Sequence, residues 1–202
     1  DRVILVDERG EIVDGDRILG VAALHLKERG NLAHNLVVAT IMSNLGLERY
    51  LAAEGITLLR TPVGDRYVFD EMVRTGAILG GENSGHIIFS EFNPTGDGIL
   101  AALQILAIMQ KTGKRLSELV AAIPLFPQVQ KKLSVSRKPP LDRLPRLSQA
   151  ITEGEKMLSG RRLVVRYSGT EPVLRVMAEG EDSEKCREVA EHVIAVAREE
   201  IG

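Results

Sequence analysis

A chain of 202 residues, 44% hydrophobic and 27% charged, has enough apolar side chains for one large or two small cores. A formal net charge of −2, with acids and bases mixed along the chain, excludes the basic footprint of a nucleic-acid binder. The single Cys186 excludes an internal disulfide, and the most apolar run, Ile99–Met109, is broken by Gln104 and too short to cross a bilayer, so no membrane partner and a cytosolic (cytoplasmic) setting are expected.

Val3–Val6 and Glu11–Val13 read as a hairpin turning at Glu8-Arg9-Gly10. The chain reaches its first strand after two residues and without an initiating Met, as expected of a piece of a longer protein. Asp14-Gly15-Asp16 punctuates the chain, and Asp16 or a neighbour can cap a helix running to about Arg29 with Ile18, Leu19, Ala22 and Leu26 on one face. Asn35–Thr40 is an apolar strand, a helix follows over Leu45–Glu54, and Ile56–Leu59 is another strand. A third helix begins at Gly64-Asp65-Arg66, with Val68, Met72 and Val73 as its buried stripe and Gly76 as its end. Ala77–Gly80 and His86–Phe89 are strands on either side of a glycine-rich loop. Gly96–Lys111 is a helix apolar nearly all round, which predicts burial on several sides. Strands alternating with helices through residue 112 argue for α/β layers.

Beyond Leu116–Ile123, a short helix, Pro124 and Pro127 break the chain. Val129–Ser136 suits a half-exposed strand, Pro139-Pro140 marks a loop, and Leu144–Leu158 is helical. Arg161–Arg166 and Val173–Glu179 are strands. Ser183–Glu200 is an amphipathic helix with Cys186, Val189, Ala190, Val193 and Ala197 on one face, and Asp182 places negative charge at its start. This second part reads as a small α+β domain beginning near Pro124.

Three motifs carry chemistry. In Arg166-Tyr-Ser-Gly-Thr-Glu-Pro-Val-Leu-Arg175 a guanidinium fork, the Ser168 and Thr170 hydroxyls and the backbone at Gly169 gather donors suited to a tetrahedral dianion. The plain alternative is a hairpin turn with a surface arginine. In Gly80-Gly81-Glu82-Asn83-Ser84-Gly85-His86 a carboxylate, an amide and a hydroxyl share a short interstrand loop, as a sugar diol requires, although a polar connecting loop has the same composition. In Thr61-Pro-Val-Gly-Asp65-Arg66-Tyr67 a helix N-terminus and Arg66 make an anion-friendly place, or Asp65 simply caps the helix.

These motifs, with Asp1-Arg2 and Thr95-Gly-Asp-Gly98, resemble the C-terminal half of the α-D-phosphohexomutases, in the branch that acts on glucosamine phosphate, and the resemblance runs essentially end to end. It implies an α/β three-layer domain with a mixed sheet followed by a smaller α+β domain. Residues 1–15 would end the family's second domain, 16–123 form the sugar-binding third, and 124–202 form the phosphate-binding fourth. Asp1 and Arg2 match the end of the family's metal loop, so Asp1 is the expected Mg²⁺ ligand in the full-length enzyme. Two further aspartates of that loop and the phosphoserine that transfers the phosphoryl group lie outside this chain on that resemblance, which implies that the 202 residues alone are inactive.

The implied reaction interconverts glucosamine 6-phosphate and glucosamine 1-phosphate through a 1,6-bisphosphate, on the route to UDP-N-acetylglucosamine. Phosphoryl transfer of this kind needs positioning and charge neutralisation. Arg166, Ser168, Gly169, Thr170 and Arg175 are the implied phosphate-binding residues. Glu82, Asn83, Ser84, Asp65 and Arg66 are the implied substrate-binding ones. Arg2 and His86 stand as catalytic candidates, His86 either transferring a proton or orienting Glu82. Glu171 and Arg175 can pair to shape the clamp. The full-length enzyme can be a homodimer. Asn83 favours the glucosamine reading. A phosphoglucomutase or phosphomannomutase of the same family, or a non-catalytic sugar-phosphate-binding module, remains the alternative.

Overall fold

The computed structural model describes residues 1–158 and 162–202. The chain divides into two compact units, Asp1–Leu125 and Phe126–Gly202. The first opens with a short antiparallel pair, β1 (Leu5–Val6) and β2 (Ile12–Val13). Helix α1 (Gly15–Glu28) follows, and β3 (Leu36–Thr40), α2 (Leu45–Ala53), β4 (Thr57–Thr61), α3 (Asp65–Thr75), β5 (Leu79–Gly81) and β6 (Ile87–Phe89) alternate after it. Helices α4 (Gly98–Thr112) and α5 (Leu116–Val120) complete the unit.

The sheet order is β4-β3-β5-β6, with β3 parallel to both neighbours and β6 antiparallel at the edge, hence a mixed sheet. Every residue of β3 is buried, as expected for a parallel strand covered on both faces. Val37 and Ala39 face a core shared with α1, α2, α4 and α5, and Leu36 and Val38 face a second core under α3. Because β4 and β5 flank β3 in the same direction, the loops that leave them emerge at the same edge of the sheet, where ligands of α/β folds sit.

The second unit is a three-stranded antiparallel sheet, β7 (Gln128–Ser134), β9 (Val173–Glu179) and β8 (Arg162–Tyr167), in the order β7-β9-β8. Helices α6 (Pro145–Met157) and α7 (Ser183–Ile201) pack on it through Leu147, Ala150, Cys186, Val189 and Val193 against Leu133, Leu174, Val176 and Ala178. The Asp182 carboxylate caps α7 by accepting from the Glu184 and Lys185 N–H groups, which satisfies two of the donors a helix start leaves open. Arg161, read as the first residue of a strand, lies outside the described residues.

Two expectations change, and a third is decided. Of Asp16 and its neighbours it is Asp14 that caps α1, accepting from the Arg17 N–H. Asp16 is instead buried inside the first turn, 1% exposed, its carboxylate accepting from the Asn44 N–H at 2.7 Å. Val73 is 67% exposed, because one residue past Met72 turns the side chain about 100° off the stripe. Helix α4 buries Ala101, Ile105 and Ile108 but exposes Ile99, Leu103 and Leu106, so its all-round apolar composition does not translate into all-round burial. Among the described residues no helix is long and apolar enough to cross a membrane.

Candidate functional site

The loop between β5 and β6 is a tight turn: the Glu82 N–H donates to the His86 carbonyl at 2.9 Å and the Gly85 N–H to the Glu82 carbonyl at 3.0 Å. Glu82 is buried, and both of its carboxylate oxygens are engaged. The Gly64 N–H donates to Oε1 at 3.1 Å, and the Ser84 hydroxyl donates to Oε2 at 3.3 Å. Gly64 ends the loop after β4 and precedes α3, so the flanking of β3 by β4 and β5 joins two motifs 18 residues apart. Asn83 is partly buried, and its backbone carbonyl accepts from the Gly15 N–H at 3.1 Å.

Asp65 and Arg66 follow Gly64 and are exposed. The Asp65 carboxylate accepts from the Arg66 N–H at 2.8 Å, and the Arg66 side chain faces Asp70 at 3.6 Å one turn along the helix. Both ions of that pair are mostly in solvent, and such a pair contributes little to stability.

The first three residues run beside the same loop. Arg2 bridges antiparallel to His86, and the Val3 N–H donates to the Gly85 carbonyl at 3.0 Å. His86 is 4% exposed, with Nδ1 3.4 Å from an Asp1 carboxylate oxygen and Nε2 buried without a partner among the described residues. His86 therefore meets Glu82 through its backbone and Asp1 through its ring. Thr95-Gly-Asp-Gly98 has a physical reason. A Cβ at Gly96 would overlap the His86 ring, and one at Gly98 would overlap the Arg2 carbonyl. Between them Asp97 caps α4, and the Leu100 N–H it accepts holds its carboxyl below the usual range.

Asp1 is one hard oxygen donor. Among the described residues no group of three or more His, Cys, Asp or Glu could hold a metal ion. Mg²⁺ requires an octahedral oxygen shell, which one carboxylate does not make.

In the second unit, Arg166 on β8 lies directly opposite Arg175 on β9, and Lys132 on β7 lies opposite Arg175 on its other side. Directly paired residues share a face, so the three cations form a row across the sheet. The turn beyond Arg166 is closed by the Ser168 N–H donating to the Val173 carbonyl at 2.9 Å and the Glu171 N–H donating to the Ser168 hydroxyl at 3.3 Å. Arg175 pairs with Glu171. The N–H groups of Gly169 and Thr170 have no acceptor among the described residues. Gly169 lies outside the left-handed region, and a Cβ there would meet nothing within 4 Å. Its backbone is open to approach.

Sequence reasoning missed Lys138. Its ammonium donates to the Ser168 carbonyl at 2.6 Å from a proline-flanked loop 30 residues away, and no local pattern links the two. Arg137 beside it counteracts the upward push that burial gives the Tyr167 hydroxyl.

The family profile for phosphoglucomutase/phosphomannomutase alpha/beta/alpha domain III matches residues 14–126, and that for the phosphoglucomutase/phosphomannomutase C-terminal domain matches residues 128–196. The chain is 55% identical over 195 residues to a phosphoglucosamine mutase of Rhodopseudomonas palustris strain TIE-1, a match covering 96% of this chain and 43% of the relative. It is 51% identical over 196 residues to that of Carboxydothermus hydrogenoformans, covering 97% and 44%. The chain thus spans less than half the length of these relatives. Its fold is similar to that of an Aspergillus fumigatus N-acetylphosphoglucosamine mutase solved with GlcNAc-6P and magnesium (TM-score 0.81, 21% identity, 98% of this chain and 47% of that one). It is also similar to an N-acetylglucosamine-phosphate mutase in its substrate complex (TM-score 0.78, 21% identity, 98% and 47%). With two adjoining profiles accounting for nearly all of its length, the chain belongs to the phosphoglucomutase/phosphomannomutase family.

Proposed function

We propose that these residues are the sugar-reading and phosphate-holding parts of a phosphoglucosamine mutase. What supports the reading most directly is the turn Ser168–Thr170. Two N–H groups without acceptors among the described residues follow Arg166, at the end of a row of cations, and that donor set suits a phosphate monoester. The choice of aminosugar is supported by 55% identity to an enzyme of that name.

In this reading Arg166, Ser168, Gly169, Thr170 and, through its pairing with Glu171, Arg175 hold the phosphate that is not reacting. Glu82, Asn83 and Ser84 contact the sugar hydroxyls. Glu82 is fixed from behind by Gly64, so its carboxylate presents acceptors without first having to be ordered. Asp65 and Arg66 border that loop, and Arg66 has an exposed guanidinium to offer a phosphate. The His86 ring lies beside the Asp1 carboxylate and Arg2 bridges to the His86 backbone, and that carboxylate would give one oxygen to Mg²⁺, a cation that neutralises phosphate charge when bound. The phosphoryl group moves from a phosphoserine of the longer protein to the free hydroxyl of glucosamine 6-phosphate, giving the 1,6-bisphosphate. After reorientation the 6-phosphate returns to the serine and glucosamine 1-phosphate leaves. A cytoplasmic setting and a homodimeric longer enzyme belong to the same proposal.

The test is a chimera in which these 202 residues replace the matching part of the Rhodopseudomonas palustris enzyme. Interconversion of glucosamine phosphates in preference to glucose and mannose phosphates is expected. A well-folded chimera that prefers glucose or mannose phosphate would move the assignment to another branch of the family.

A further inference from the structure

The loop between β7 and α6 brackets the phosphate turn. At one side the Val135 N–H donates to the Pro172 carbonyl at 2.9 Å, and at the other Lys138 donates to the Ser168 carbonyl at 2.6 Å. The second contact has a geometric consequence. The chain has no cis peptide bonds among its described residues, and in a trans peptide the C=O and the following N–H point in opposite directions. An ammonium that holds the Ser168 carbonyl therefore directs the Gly169 N–H to the opposite side, and that N–H has no acceptor among the described residues.

Such pinning is needed here. A peptide that ends in glycine flips readily because glycine tolerates both signs of φ, and Gly169 has open space around it. A flipped Ser168–Gly169 peptide would turn a carbonyl dipole toward the anion in place of an N–H. The ammonium also polarises the peptide it holds, which strengthens the donor at its far end.

We propose that Lys138 is a positioning residue of the phosphate turn, locking the Ser168–Gly169 peptide with its N–H outward so that the turn takes a phosphate monoester in one defined geometry. The proposal rests on the reading of Ser168–Thr170 as a phosphate seat. Lysine suits the task through its long stem and three donors, of which one suffices for the carbonyl.

The 202-residue chain, with isotope-labelled amides, is titrated with inorganic phosphate and with glucosamine 6-phosphate. Wild type should show a downfield shift of the Gly169 amide proton on saturation. Lys138→Met should bind both ligands about tenfold more weakly, the equivalent of one charge-assisted hydrogen bond, and should lose that shift. Lys138→Arg, which keeps a charged donor, should recover most of the affinity and the shift. Lys138 is exposed, so circular dichroism of Lys138→Met should match wild type. Wild-type affinity in Lys138→Met, or a Gly169 shift that persists in it, overturns the proposal. A uniform loss that arginine does not rescue overturns it as well. The seat itself is tested separately: a wild-type chain in which phosphate leaves the Ser168–Thr170 amides untouched refutes the seat and, with it, the inference.

Discussion

Asp16→Asn should stabilise the first unit, and by more at pH 8 than at pH 5.5. The Asp16 carboxyl is 1% exposed, and burial pushes its pKa up from 3.8 to about 7 although the Asn44 N–H and the Ser43 hydroxyl pull it down. The folded chain thus keeps a proton on this group that the unfolded chain releases above about pH 4. Its contribution is fully present below pH 3.8 and is lost as pH rises through about 7, at about 1.4 kcal/mol per unit. The full shift corresponds to about 4 kcal/mol at pH 8, and roughly half of that applies at pH 5.5. Asparagine keeps the acceptor for the Asn44 N–H and carries no charge, so the advantage of the variant should grow by about 2 kcal/mol between the two pH values. Urea-dependent hydrogen exchange in peptides of α1 and α2 reads the first unit alone. Subtracting variant from wild type cancels all other titrations. An advantage that stays flat from pH 5.5 to 8 would refute the idea that burial of this carboxyl governs its protonation.

Three further outcomes follow from the site. Arg166→Ala should weaken phosphate and phosphosugar binding roughly 10- to 150-fold by calorimetry, while Arg166→Lys recovers only part because an ammonium lacks the planar fork; unchanged affinity in the alanine variant removes Arg166 from the seat. Glu82→Gln in the chimera should lower glucosamine phosphate turnover while inorganic phosphate competes as before, and equal losses of sugar and phosphate binding would contradict that division. Gly96→Ala should destabilise the first unit by about 1–3 kcal/mol and move the His86 ring resonances, since its new Cβ enters the space of the ring. Unmoved His86 resonances would show that the backbone yields instead.

What the sequence discloses here is what depends on near neighbours. β3 is legible as an unbroken apolar run because it is buried on both faces, and α7 because its stripe and its Asp182 cap lie within one helix. The glycine-rich loop and the phosphate turn are legible because their donors are consecutive. The exposed face of α4 is not legible: Ile99, Leu103 and Leu106 have the same chemistry as Ala101 and Ile105, and only the packing partner distinguishes them. Lys138 escapes for a related reason. A surface lysine in a proline-flanked loop has no periodicity, and its contact with Ser168 exists only once β7 and β9 have paired. The link from Glu82 to Gly64 likewise depends on sheet order, which places β4 and β5 on opposite sides of β3.

The two motifs differ in how much of their hydrogen bonding the chain uses up, and on the proposed function that difference would bear on how a bisphosphate is held in either orientation. Glu82 spends one oxygen on Gly64 and meets the Ser84 hydroxyl with the other, so its position is set before any ligand arrives. The phosphate turn leaves the Gly169 and Thr170 N–H groups open beside Arg166. On the proposed reading those donors would meet only phosphate oxygens and would be blind to which carbon of the sugar carries the phosphate. On the proposed reading, the turn supplies affinity that does not change when the sugar is reversed. The fixed carboxylate contacts hydroxyls that lie similarly in both orientations. A seat that sensed the sugar would favour one phosphate ester over the other and slow the return step. On the proposed function, an unspecific seat with a rigid hydroxyl contact would let both half-reactions use the same groups, since only interactions that differ between ground and transition state alter the rate.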